Sequence, residues 1–158
     1  SWPMGRGAEK RTANLRVSTL MTSAIYKEER YNRKDADFEL YNDSGYGLGE
    51  EIYQECLEIE LGLRGIPFQA KQALRAFYKG RELLNRFVPD LVVFNCLVVE
   101  LKAATALAAE HEAQLFNYLR LTRQPVGYLI NFGHKDTLEW KRLILSEFIP
   151  TSASISAD

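Results

Sequence analysis

The chain has 158 residues and a mass of 18.1 kDa, enough for one domain built on a single core. Hydrophobic residues make up 46% and charged residues 26%, which argues against a disordered or collagen-like polypeptide, and no apolar run nears the roughly 18 residues of a membrane span. Twenty basic and 21 acidic groups give a pI of about 6.2, which is not the overall basic balance of a simple nucleic-acid binder.

Residues 1–25 show no hydrophobic period and are rich in Gly, Arg, Ser and Thr, so a disordered N-terminal extension is expected there. The Arg-rich, acid-poor composition also suits an organelle-targeting segment, but no amphipathic stripe accompanies it. No apolar core marks a secretory signal. Cys56 and Cys96 lie forty residues apart without zinc-type spacing, and two free thiols in a cytoplasmic protein are the plain expectation. Residues 26–149 then form the domain, and 150–158 a loose tail.

From Lys27 to Asp43 the composition is helical, with Phe38, Leu40 and Tyr41 as its apolar residues. The run Asn42–Gly47 breaks it. Ile52, Tyr53, Cys56, Leu57 and Leu61 recur at helical spacing, and Gly65 stops this second helix. A strand-like stretch follows from Ile66 to Tyr78, then a tight turn at Lys79-Gly80-Arg81. Leu84–Phe94 and Leu97–Leu101, rich in Val, Leu and Phe, predict two strands. Residues 106–121 predict a helix ended by Pro125, Val126–Phe132 a buried strand, and Leu138–Leu145 a final strand. The order αα-βββ-α-β-β describes a mixed α+β domain, a small mixed sheet flanked by helices.

Two acids and a lysine interrupt the apolar strands: Asp90 after Pro89, then Glu100 and Lys102. A three-residue loop (Phe94, Asn95, Cys96) would pair Val93 with Leu97 and set Asp90 opposite Glu100 on one face, with Lys102 two residues on. A two-residue loop would put the acids on opposite faces. Carboxylates about 4 Å apart repel by roughly 4 kcal/mol at an effective dielectric near 20. Lys102 offsets part of this, and hard oxygen ligands suit Mg²⁺ or Mn²⁺ for the rest. A solvent-exposed face whose acids pair with Lys and Arg is the alternative, and spacing leaves both open.

Glu50 and Tyr53 share a face at the start of the second helix, where Glu50 also suits the positive helix end. His111, Gln114 and Tyr118 share a face of the later helix. They line either solvent or a cleft above the sheet, and His111 alone is a weak metal ligand. Lys71, Arg75, Lys79, Arg81 and Arg86 form a basic set that can hold phosphates or simply solvate strand edges.

Taken in order, Gly47-x-x-Glu50-x-x-Tyr53, Pro89-Asp90, Glu100-x-Lys102 and Gln114-x-x-x-Tyr118 resemble the GxxExxY family, a group of small bacterial proteins in the PD-(D/E)xK nuclease superfamily. The resemblance covers roughly Tyr26 to Leu145. It implies a restriction-endonuclease-like core in which Asp90 and Glu100 bind the catalytic cation, with the Leu101 backbone carbonyl and Glu50 as further ligands. It implies that Lys102 positions or activates the attacking water. Glu50 and the Gln114/Tyr118 pair resemble the extra acid and the Gln-x-x-x-Tyr motif of RecB-like and Cas4-like relatives, and Tyr53 stands beside them as a supporting residue. The family's apolar run in the first helix is replaced here by Arg33-Lys34-Asp35-Ala36-Asp37, and its Thr-Pro helix start by Ala108-Ala109, so weaker packing and capping are expected there.

The resemblance implies a Mg²⁺- or Mn²⁺-dependent nuclease, an endo- or exonuclease hydrolysing phosphodiester bonds of DNA ahead of RNA. Lys71, Arg75, Arg81 and Arg86 are weaker candidates for nucleic-acid contact. A non-catalytic nucleic-acid-binding or complex-forming module on the same fold is the alternative. The complete Asp90–Glu100–Lys102 set favours the enzyme. Homo-oligomers are compatible with either reading, and no membrane partner is expected.

Overall fold

Leucine and tyrosine at a four-residue interval give helix α2, Glu50–Leu63, its buried stripe: Tyr53, Leu57 and Leu61 are fully buried and Gln54 nearly so. The computed structural model describes residues 33–149. The expected extension, the tail, and the start of the first helix at 27–32 lie outside those residues. Gly65 takes a left-handed φ of +66° directly after α2, as the sequence predicts for its stop. Helix α1, Arg33–Ser44, packs on α2 through Ala36 and Leu40, not through Phe38, which is exposed. Of the helix's apolar residues, Leu40 and Tyr41 thus meet the core and Phe38 does not. Tyr41 is half-buried and donates its hydroxyl hydrogen to the His134 carbonyl.

Seven strands follow the order β1 (Phe68–Ala70), β2 (Phe77–Tyr78), β3 (Arg81–Glu82), β4 (Leu91–Val93), β5 (Leu97–Lys102), β6 (Val126–Asn131) and β7 (Glu139–Ile144), with α3 (Ala109–Thr122) between β5 and β6. A single 3₁₀ turn at Ser146–Phe148 closes the described chain. The main sheet runs β1-β4-β5-β6-β7, antiparallel throughout except for the parallel β5–β6 pair bridged by α3. Strands β2 and β3 form a separate hairpin.

The expected strand at 84–94 shortens to Leu91–Val93. Leu84 is fully exposed, Pro89 has no N–H to give a ladder, and Phe87 makes only an isolated bridge to Leu74. The expected stretch at 66–78 divides into β1 and β2, and Lys79-Gly80 makes the tight turn between β2 and β3.

Side chains along β5 alternate between two cores. Leu97, Val99 and Leu101 join Tyr53, Leu57, Leu61, Tyr128 and Phe132 under α1 and α2. Val98 joins Leu115, Leu119 and Leu129 under α3. Gly127 lets α3 approach, since a Cβ there would lie 2.7 Å from Leu119 Cδ1. The mixed α+β architecture is thus the expected one: a small mixed sheet between helical layers.

Candidate active site

Val93 pairs with Leu97, so the β4–β5 loop has the three residues Phe94, Asn95 and Cys96. Phe94 and Asn95 take left-handed φ values to close it. Continuing this register sets Asp90 opposite Glu100. The Asp90 N–H donates to Glu100 Oε1 at 3.1 Å, and Asp90 Oδ2 accepts the Leu101 N–H at 2.7 Å. Lys102 follows Glu100 and Val98 on the α3 side of β5.

Two clefts meet at this pair. One, about 330 Å³, is lined by Glu100, Lys102, Gln114 and Tyr118 together with Arg86, Phe87 and His111. The other, about 530 Å³, is lined by Asp90, Leu101, Lys71, Gln54 and the α2 acids Glu50, Glu51, Glu55 and Glu58. The sequence-predicted set is therefore divided. Glu100, Lys102, Gln114 and Tyr118 share the α3 cleft, while Asp90, Glu50 and Leu101 share the α2 cleft. The hydrogen bond from Asp90 to Glu100 joins the two.

Burial pushes the Glu100 carboxyl up to about 7, and the charge of Asp90 adds to the rise. The Asp90 N–H and the more distant Lys102 and Lys71 only partly counter it. This corner is short of positive charge. Lys71 supplies some of it, pairing its ammonium with Asp90 Oδ1 while its own N–H donates to the Asp90 carbonyl at 3.1 Å. Burial opposes the Lys71 charge, but Asp90 outweighs it and the ammonium's pKa is raised. Gln54 Nε2 holds the same Asp90 carbonyl at 2.9 Å. Lys71 was expected among the phosphate contacts. Its 19-residue distance from Asp90 gives no hint of this pairing, which the left-handed bend at Lys71 brings about.

Glu50 Oε1 accepts the Ala103 N–H at 3.3 Å, tying the first turn of α2 to the end of β5. Tyr53 is turned into the core instead. It stacks on Phe132 at 4.7 Å, donates to the Gly45 carbonyl at 2.6 Å and accepts the Leu48 N–H at 3.2 Å. Tyr53 thus holds the loop that leads into Glu50. His111 caps α3, its Nδ1 accepting the Ala108 N–H at 3.1 Å, where the sequence lacks a Thr cap. Arg75 pairs with Glu82, and Arg86 lies 3.9 Å from the same carboxylate. Arg81 stands exposed on β3.

Asn131 is a residue that sequence reasoning missed. It is fully buried and in register with Lys102. Its Oδ1 accepts the N–H groups of Ala104 and Gly133, and its Nδ2 donates to the Ala104 carbonyl and to Glu139 Oε1, all at 2.9–3.0 Å. The turn after Lys102 is pinned by this amide. The available signal was a polar residue ending an otherwise apolar strand.

Among the described residues, no group of three or more His, Cys, Asp or Glu side chains is gathered as a metal cluster. Asp90 and Glu100 still offer two hard oxygen donors in a corner short of positive charge. Mg²⁺ commonly takes one or two carboxylates from protein and keeps several waters, so each carboxyl suits such a cation in kind, although the two line different clefts and Lys71 holds Asp90 Oδ1.

A family model described as PD-(D/E)XK nuclease superfamily matches residues 27–143, about three quarters of the chain. The chain belongs to the PD-(D/E)XK nuclease superfamily. No curated protein and no solved structure shows significant similarity to it. Membership agrees with the restriction-endonuclease-like arrangement of the sheet and helices. Members of the superfamily are generally nucleases and typically use divalent metals, so membership points to nuclease activity on a nucleic-acid substrate. No helix among the described residues is long and apolar enough to cross a membrane.

Proposed function

We propose that the protein is a Mg²⁺- or Mn²⁺-dependent nuclease of the GxxExxY type that hydrolyses phosphodiester bonds of DNA. The observation that carries this is the Asp90–Glu100 opposition across an odd hairpin, with Lys102 two residues on, inside a chain of this superfamily. Asp90 and Glu100 would hold the cation, with the Leu101 carbonyl and Glu50 as further ligands. When bound, the cation supplies a water ionised near neutral pH and a counter-charge for the phosphate. Lys102 then presents a positive charge where negative charge grows on the phosphate, a contact worth most in the transition state. Gln114 and Tyr118 line the same cleft and orient the substrate against Lys102. A cation held by Asp90 would take the place of Lys71 there, since both claim the same carboxylate.

A non-catalytic binding module on this fold is the second reading. The division of the acids between two clefts, with Lys71 on Asp90, favours it. The test is cleavage of single-stranded, duplex and branched DNA, and of RNA, with and without Mg²⁺ or Mn²⁺. Metal-dependent cleavage of DNA is expected. Binding without cleavage of any form would transfer the function to the module.

A further inference from the structure

The two clefts differ in charge. The α2 cleft is lined by five carboxylates and one lysine, and a polyanion is repelled from it. The α3 cleft carries Arg86 and Lys102 against the one carboxyl of Glu100, around a floor of Leu115 and Leu129. Its wall is an aromatic pair, Tyr118 stacked on Phe87 at 4.3 Å and 7° between planes, with Tyr118 36% exposed. At about 330 Å³ it has room for one base and not for a duplex.

Beyond Arg86 the basic, aromatic surface continues onto the β2–β3 hairpin. Arg86 and Arg75 share the Glu82 carboxylate, which joins the hairpin to the cleft mouth. The Arg75 and Arg123 guanidinium carbons lie 5.3 and 4.7 Å from the Phe77 ring centre, and Lys79 Nζ lies 5.5 Å from that of Tyr78. Tyr78 is 58% exposed and Arg81 is exposed beside it. Arg75, Lys79, Arg81, Arg86 and Arg123 thus gather about the hairpin and the end of α3, with Glu82 paired to Arg75 and near Arg86. Arg123 reaches it because the end of α3 turns through a left-handed residue there.

We infer that the β2–β3 hairpin and the end of α3 form the binding surface for single-stranded nucleic acid, which runs from Tyr78 past Arg86 and places a base on Tyr118. This rests on reading Glu100 and Lys102 as the reacting end of the site. Backbone phosphates are held by the four arginines and Lys79, and the exposed rings offer flat faces to unpaired bases. Duplex DNA has its base faces covered and gains only the phosphate contacts.

The test is fluorescence anisotropy in Ca²⁺ with a labelled oligo-dT strand and a duplex of equal length. It compares wild type, the double variant Lys79→Glu/Arg81→Glu and Tyr78→Ala, each checked for fold by circular dichroism. These side chains are exposed, so the variants fold. Wild type is expected to bind the single strand more tightly than the duplex. The double variant is expected to bind it about ten-fold or more weakly, with the salt slope reduced by roughly 1.4 for two lost phosphate contacts. Tyr78→Ala is expected to weaken the single strand more than the duplex. Equal affinity for the duplex, unchanged binding by both variants, or no binding by wild type overturns the inference. Cleavage by the same proteins in Mn²⁺ separates the two claims. Wild type and variants that bind and cleave alike sink the hairpin surface and leave the nuclease. Hairpin-dependent binding without cleavage sinks the nuclease and leaves the surface.

Discussion

Glu100 is where burial, charge and chemistry meet. Its carboxyl sits near 7 because burial and Asp90 both disfavour the charge. A carboxyl raised in the folded state binds a proton that the unfolded chain has already lost. Without divalent cation, the stability it contributes is present below about pH 4.5 and is lost as pH rises towards 7, on the order of 3 kcal/mol in all. Glu100→Gln keeps the shape and cannot ionise. Urea unfolding between pH 4.5 and 7.5 should show the wild type weakening relative to this variant. Parallel pH profiles for the two proteins would contradict the buried, repelled carboxylate. Sequence alone gave the condition for the opposition of Asp90 and Glu100, a three-residue loop between the two strands, and the register meets it, but it gave no access to the division of the two side chains between separate clefts. It gave no access to Lys71, whose approach to Asp90 depends on a backbone bend 19 residues away. Tyr53 also differed from its spacing. A separation of three from Glu50 allows a shared face, but ring stacking on Phe132 draws the tyrosine into the core.

At the scale of elements, the end of β5 is aimed by what packs around residues 103–107. Asn131 satisfies both backbone polar groups of Ala104, and Glu139 accepts the Leu107 N–H at 3.2 Å. A Cβ on Gly133 would overlap the Ala104 carbonyl oxygen and lie 2.5 Å from the Ala103 carbonyl carbon, so the chain crosses this turn at close range. Asn131→Ala leaves partly buried backbone groups of Ala104 and Gly133 without the amide, and a loss of about 1–3 kcal/mol is expected in chemical denaturation. Unchanged stability would show that the amide does not hold the turn. Helices α2 and α3 and strands β5 and β6 were legible because their apolar residues recur at one clear period or run unbroken. The segment 84–90 was not. Leu84 and Val88 look like strand residues, yet both are exposed, and Pro89 interrupts the ladder. Helix α1 was legible as a helix and Leu40 as one of its apolar residues, but Ala36 was not legible as core, because its small side chain stands among charged neighbours.

For the whole molecule, cation binding and stability are linked. A cation that binds the folded chain alone adds about 1.4 kcal/mol at ten times its Kd, several degrees in Tm for a domain of this size. Mg²⁺ or Mn²⁺ at millimolar concentration should therefore raise Tm, and Asp90→Asn should remove most of the rise. A wild-type Tm indifferent to either metal would count against Asp90 and Glu100 as a cation site. The divided clefts also give the molecule a direction: an acidic side with Asp90 and Glu50, and a more basic, aromatic side with Lys102, Arg86 and Tyr118, Glu100 standing at its inner end.

Lys102 tests the nuclease reading most directly, through cleavage and binding measured side by side for wild type and Lys102→Ala. Cleavage is followed in Mg²⁺, and affinity for the same DNA in Ca²⁺. One lysine contributes a single phosphate contact among several, so affinity should change little. Its main contribution falls in the transition state, so the cleavage rate should drop on the order of 10²–10³. Metal-dependent cleavage that survives the substitution, or its absence from the wild type on every substrate, would contradict a nuclease built on Asp90, Glu100 and Lys102.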